Sequence, residues 1–364
     1  MSNTARGIQY PVGSDPGTLA THFSNLATTA DAAIAFDAGY KNIFINGGFD
    51  IWQRGASHST SGSIAADRWP VYTSVDTFNA SRIVLGAGAY LPVGFKYGYT
   101  ISNTNGGTTG SYTSLQQLIE GVHTCNGLTV TVSFWAMANS GAPTIGLSFD
   151  QVFGTTGGTT TVNGASFGNP TLTSSWARYS YTTTVPALPS YFTLGSNGND
   201  YLGFNMWLSA GSTHATRSGN LTNQNVDISL AGLQMEVGPA VTAFERRPVA
   251  AELALCQRYY ERQNYPGSDN AVAGGVCWST NGAYHAVTCV TKRRIPTVTY
   301  AGTWEAVIGA YVRPGSLTIS DASVTSAQVV LVPTSNDCIV GHGSLLRTGV
   351  GGNNYIAFDA ELPT

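Results

Sequence analysis

From residue 129 to 138 the chain alternates without a break (TVTVSFWAMA), with Val130, Val132, Phe134 and Ala136 on one face and Thr131, Ser133, Trp135 and Met137 on the other. Residues 201–208 (YLGFNMWL) do the same, setting Leu202, Phe204, Met206 and Leu208 against Tyr201, Asn205 and Trp207. A period of two is the pattern of a strand with one face in a core. Further short strands are predicted at 82–85, 97–102, 111–119, 145–149, 177–184 and 226–236, separated by Gly/Thr/Asn-rich turns. Short strands punctuated in this way predict an antiparallel sandwich or jelly roll over 41–248. Its first stretch, 42–69, predicts an opening strand at 43–45, a kink at Asn46-Gly47-Gly48, a polar loop, and Trp69 re-entering the core.

The pattern changes on both sides. Leu19, Phe23, Leu26, Ala30 and Ala33 follow at spacings of four and three, with Ser14 or Asp15 as a cap and Pro16 in the first turn. They predict a coiled-coil-like helix over 14–39 behind an extended arm. Two readings stand: a stripe for self-association, or an amphipathic helix lying on its own domain. After the sandwich, 248–262 (PVAAELALCQRYYER) predicts a short linker helix with Leu253, Cys256, Tyr259 and Tyr260 on one face. Residues 263–364 predict a second, smaller β domain, with Asn281-Gly282 as its hairpin turn. The fold class is therefore mainly β, divided into 1–40, 41–248, the linker helix 249–262, and 263–364.

Composition narrows the function classes. Charged residues are 10% of the chain, against about 25% in ordinary globular chains, and Gly accounts for 43 of 364 residues. Net charge is −3 and no basic run exceeds Lys292-Arg293-Arg294, so nucleic acid is not an expected partner. No apolar run reaches the ~18 residues of a membrane span, and the start, MSNTARGIQYPVG, lacks the apolar core of a signal peptide. Five cysteines without a CxxC spacing predict neither a disulfide framework nor a zinc site. A turn at Asn281-Gly282 would set Cys277 opposite Ala286 and Cys289 opposite Gly274, leaving them unpaired.

Candidate chemistry is sparse. The carboxylates are scattered, and Glu120 and Asp150 are the pair a sandwich would have to bring together for glycoside hydrolysis. The histidines show neither HxH nor HExxH spacing, and no Gly-X-Ser-X-Gly lies between a strand and a helix. No enzyme, metal site or cofactor is predicted, though Asn46, Asp50 and Asp227 could supply oxygen ligands to a structural Ca²⁺. Asp67-Arg68 and Glu245-Arg246-Arg247 read as ion pairs pinning the two ends of the sandwich. Sugar recognition needs aromatic faces with amides or carboxylates beside them. Trp135 and Trp207 lie on non-core faces of long strands, with Tyr201 and Asn205 near Trp207 in the pattern. They stand either as sugar platforms or as a second packed layer or subunit interface. Trp278, Tyr284, His285 and Trp304 form a second candidate cluster around the predicted hairpin, either on an exposed end or in packing.

Two stretches carry a family resemblance. "FINGGFDIWQRG…ADRW" resembles the start of the carbohydrate-binding-module-like jelly roll of tail fibres and receptor-binding proteins of tailed bacteriophages, and 226–260 (VDISLAGLQMEVGPAVTAFERRPVAAELALCQRYY) resembles its end. "KRRIPTVTY" is similar to stretches in the C-terminal domains of such fibres. The resemblance implies a homotrimeric virion component, attached to other virion proteins through its N-terminus and binding a bacterial surface polysaccharide or lipopolysaccharide. A purely structural collar, neck or head fibre, and a polysaccharide depolymerase, are the alternatives.

Overall fold

The computed structural model describes residues 2–3, 9–10, 40–86, 94–280, 282–308, 311–333, 343–349 and 353–362. The predicted stripe of Leu19, Phe23, Leu26, Ala30 and Ala33 lies outside the described residues. In the arm, β1 (Ser2–Asn3) pairs with β2 (Gln9–Tyr10). The chain divides into two compact units, Met1–Glu252 with Leu362–Thr364, and Leu253–Glu361.

The first unit is a sandwich of two antiparallel sheets. One has five strands in the order β10 (Val162–Asn163), β9 (Gly146–Val152), β12 (Tyr201–Ala210), β7 (Tyr112–Glu120) and β4 (Val71–Ser74). The other has six: β11 (Ala177–Thr184), β8 (Thr129–Ala138), β13 (Val226–Val237), β6 (Tyr97–Thr104), β5 (Thr77–Val84) and β3 (Ser57–His58). From β6 to β9, and again from β11 to β13, successive strands alternate between the sheets, the interleaving of a jelly roll. The inward residues of β8 and β12, among them Val132, Phe134, Phe204 and Met206, meet in one core.

The opening stretch is not a strand. Residues 41–48 form a turn-rich strap whose Ile43 N–H donates to Met235 O (2.8 Å) and whose Gly47 O accepts from Leu233 N–H (2.9 Å). Left-handed backbone at Asn46 (φ 56°) and Phe49 (φ 55°) ends any ladder there. Gly47 is required by proximity, since a Cβ would stand 2.0 Å from Leu233 O. Trp69 does re-enter the core, meeting Phe44 (5.2 Å) and Phe49 (5.8 Å) edge-on. The ends are pinned mostly by carboxylates on backbone amides: Glu245 accepts from Lys41 N–H (3.1 Å) and Asn42 N–H (2.8 Å). Asp67 accepts from Gln53 N–H (2.8 Å) and pairs with Arg54 (3.0 Å).

A four-residue helix, α1 (Ala215–Ser218), follows β12. Helix α2 (Val249–Gln257) is shorter than predicted, and the boundary between the units falls inside it. Tyr260 opens a strand instead of continuing the helix, because its stretch pairs with the last strand of the chain.

The second unit holds a three-stranded sheet, β14 (Tyr260–Pro266), β22 (Asn353–Asp359) and β17 (Thr297–Ala301). Beside it is a closed barrel in the order β15 (Ala271–Ser279), β16 (Gly282–Thr288), β20 (Ser326–Pro333), β19 (Tyr311–Ala322), β18 (Trp304–Ile308) and β21 (Gly343–Thr348). In the β15–β16 hairpin Ser279 faces Gly282, so the turn falls one residue earlier than predicted. With a bulge beyond it, Cys277 faces Ala283 rather than Ala286. Cys125, Cys277 and Cys289 are free thiols.

Candidate functional site

The outward face of the five-stranded sheet gathers the polar and aromatic side chains. Register places Tyr201, Gly203, Asn205 and Trp207 of β12 on it, with Glu120, Gln116 and Ser114 of β7 on one side and Asp150 and Ser148 of β9 on the other. Tyr72 of β4 lies beside Ser114. Across the middle, Asn205 Nδ2 donates to Asp150 Oδ2 (2.8 Å), and Arg217 of α1 forms an ion pair with the same carboxylate.

Four elements converge here through their side-chain tips. The half-buried Tyr201 leans over Gly203, where a Cβ would lie 3.3 Å from its ring. Burial pushes the Tyr201 hydroxyl up to about 12, with Tyr72 and Asp150 nearby adding to the shift and Arg217 opposing it. Burial also raises the Asp150 carboxyl above the usual carboxylate range, against the pull of Arg217, Asn205 and the Gly164 N–H. Gln116, half-buried, donates to Ser114 Oγ (2.9 Å) and keeps its carbonyl oxygen as an acceptor. The face thus offers aromatic surface, amide donors and acceptors, a carboxylate and a guanidinium within one patch.

Trp207 does not present its ring. It is 1% exposed, its Nε1–H donates to Ser148 Oγ (2.9 Å), and His214 stacks on it at 5.4 Å. Arg217 lies over the same ring at 4.7 Å, and Tyr112 meets it edge-on at 5.7 Å. The indole is the post on which α1 is seated. Asn205 is buried as well, acting through Asp150. Of the four sandwich residues singled out by pattern, the structure brings Tyr201, Asn205 and Trp207 onto one face. Trp135 lies on the opposite sheet, half-buried on its outward side and facing Arg178 and Ala231 in register.

The second cluster separates. Trp278 is 51% exposed and packs against Tyr284 (5.4 Å, 32°), so these two share the barrel's outer wall. His285 is buried, with Nε2 on Ser344 Oγ (2.9 Å), and Trp304 is in the barrel core beside Tyr265 (6.1 Å). Neither stands on an exposed end: inward alternation, not the hairpin tip, decides their place. Two of the possible Ca²⁺ ligands already have hydrogen-bond partners. The Asn46 amide is occupied by Ile51 and Asp67 backbone, and Asp227 accepts from Asn139 Nδ2 (2.7 Å). Tyr72, Gln116 and Arg217 were not singled out by the sequence. Gln116 sits beside the inward Gln117 in a run that blurs alternation, and Arg217 reaches the face only through α1.

No family model matches the chain, and no curated protein matches it. Solved structures similar to it include a Family 11 Carbohydrate-Binding Module from Clostridium thermocellum in complex with a β-1,3-1,4-mixed-linked tetrasaccharide (12% identity, 52% of this chain and 98% of that one, TM-score 0.30). Another is the CBM22-1 xylan-binding domain from Paenibacillus barcinonensis Xyn10C (11% identity, 56% and 100%, TM-score 0.28). A third is the enzymatically active domain of tailspike protein 4 from Bacteriophage CBA120 (14% identity, 54% and 22%, TM-score 0.30). The chemistry of the site rests on the side chains of the face itself.

Proposed function

We propose that the outward face of the five-stranded sheet binds a glycan without catalysis, and that the chain is a virion fibre protein adhering to a bacterial surface polysaccharide or lipopolysaccharide. The observation that carries the binding reading is the convergence of Tyr72, Tyr201, Asn205, Asp150 and Arg217 beside Gly203. A pyranose ring lays its apolar face on the Tyr201 ring while Gln116, Asp150 and Arg217 fix its hydroxyls. The resemblance of 42–69 and 226–260 to phage fibre modules supports the virion reading. Self-association through Leu19, Phe23 and Leu26 as a homotrimer would convert weak single sites into avid binding by raising effective concentration.

Titration of glycans that bind the wild-type chain on an array tests the reading. Tyr201→Ala and Gln116→Ala each weaken binding at least about tenfold while remaining folded, as thermal melts check. Equal affinity in both variants removes the site from this face. Hydrolysis is a second reading, favoured by the raised Asp150 carboxyl and by Glu120 on the same face. Release of reducing ends that stops in Asp150→Asn would replace the non-catalytic account.

A further inference from the structure

At one end of the sandwich, the β6–β7 and β12–β13 connections flank an open hollow of about 430 Å³, lined by Gly107, Thr108, Thr109, Gly211, Ser212, Ala215, Asn220, Leu221, Thr222 and Asn223. That volume is within the range of ligand pockets, which begins at about 300 Å³. It shares no lining residue with the Tyr201 face.

The loops are knitted into a fixed shape. Thr213 N–H donates to Thr109 O (3.0 Å), Gly211 N–H to Ser111 O (2.8 Å), and Asn223 Nδ2 to Thr108 O (2.8 Å). Gly211 permits the closest approach, since a Cβ there would stand 2.3 Å from Thr109 O. Leu221 is buried and packs with Trp207 and Ala210, so the floor rests on the same indole that seats α1. In the wall, the buried Asn223 Oδ1 has no hydrogen-bond partner.

The lining contains hydroxyls, amides, small apolar groups and no ionisable side chain. Such a wall supplies no countercharge to hold an ionic ligand, and its hydroxyls and amides match a compact molecule carrying many neutral hydroxyls. We infer that this hollow is a second binding site, for a single neutral sugar residue, whose apolar ring face lies toward Leu221 and Ala215 and whose hydroxyls meet Thr108, Ser212, Thr222 and Asn220. It is independent of the sheet-face reading, and either site can fail without the other.

Saturation-transfer NMR on the full chain tests it, with D-glucose, D-galactose, D-mannose and N-acetyl-D-glucosamine as probes and D-glucuronate as the charged control. At least one neutral sugar receives transfer and D-glucuronate does not. Measured in the Tyr201→Ala background, so that the sheet face does not contribute, Ala215→Phe, which fills the hollow, weakens that binding at least about tenfold. Thr222→Val, which keeps the shape and removes one hydroxyl, weakens it severalfold and decides the matter if Ala215→Phe fails to fold. Absence of transfer to all four neutral sugars, stronger transfer to D-glucuronate, or unchanged binding in a folded Ala215→Phe or Thr222→Val variant would overturn the proposal.

Discussion

Asn46 shows how much one side chain organises. Its Nδ2 donates to Ile51 O and Asp67 O (both 2.9 Å), its Oδ1 accepts from Ile51 N–H (3.0 Å), and its carbonyl accepts from Trp69 Nε1 (3.0 Å). It does this fully buried and in left-handed backbone (φ 56°), which Asn tolerates better than most residues. Asn46→Ala loses the side-chain bonds and adds backbone strain, an expected cost of about 3 kcal/mol or more. Asn46→Gly, free of the strain, should be less damaging by about 1 kcal/mol, and urea denaturation compares the two. His285 sets a pH dependence in the second unit, because burial lowers its imidazole to about 4. The folded state holds it neutral while the unfolded chain protonates near the ordinary value, so its stability contribution is present above pH ~6.5 and is lost as pH falls toward ~4. Thermal melts between pH 7.5 and 4.5 should show the barrel's transition falling on acidification, with a shallower slope in His285→Gln.

The elements legible in the sequence were those whose partners lie in a single core. Residues 129–138 and 201–210 are strands because alternation buries Phe134 and Phe204 while leaving the other face polar. The strap at 41–48 was not legible, since its bonds run to Leu233 and Met235, far along the chain, and its apolar run imitates a strand. β14 was hidden for another reason. Its Glu261 is buried and reads as a surface charge until Lys292 is placed 2.7 Å away. Lys292 Nζ also donates to Gln257 O (2.6 Å), and Glu261 accepts from Val290 N–H (2.8 Å), so the pair ties β14 to the 290 loop. Lys292→Ala strands a buried carboxylate at a cost of about 3–5 kcal/mol, whereas Glu261→Gln with Lys292→Met should cost much less. A double-mutant cycle checks the difference.

At the scale of the whole molecule, the sandwich and the barrel belong to different compact units. The sequence placed Tyr201 and Asn205 on the face that the structure presents, but it could not rank Trp207, whose burial depends on α1 folding back over β12. The Trp278–Tyr284 pair gives the barrel an exposed aromatic surface of its own. If the sandwich carries the proposed adhesion, Trp278→Ala leaves binding to intact bacteria unchanged, and a loss moves the contact to the barrel. The most direct test is isothermal titration of the full chain with an array-selected oligosaccharide, comparing wild type with Tyr201→Ala. The account predicts saturable binding in the wild type and at least about a tenfold loss in the folded variant. Saturable binding of equal strength in both would contradict it.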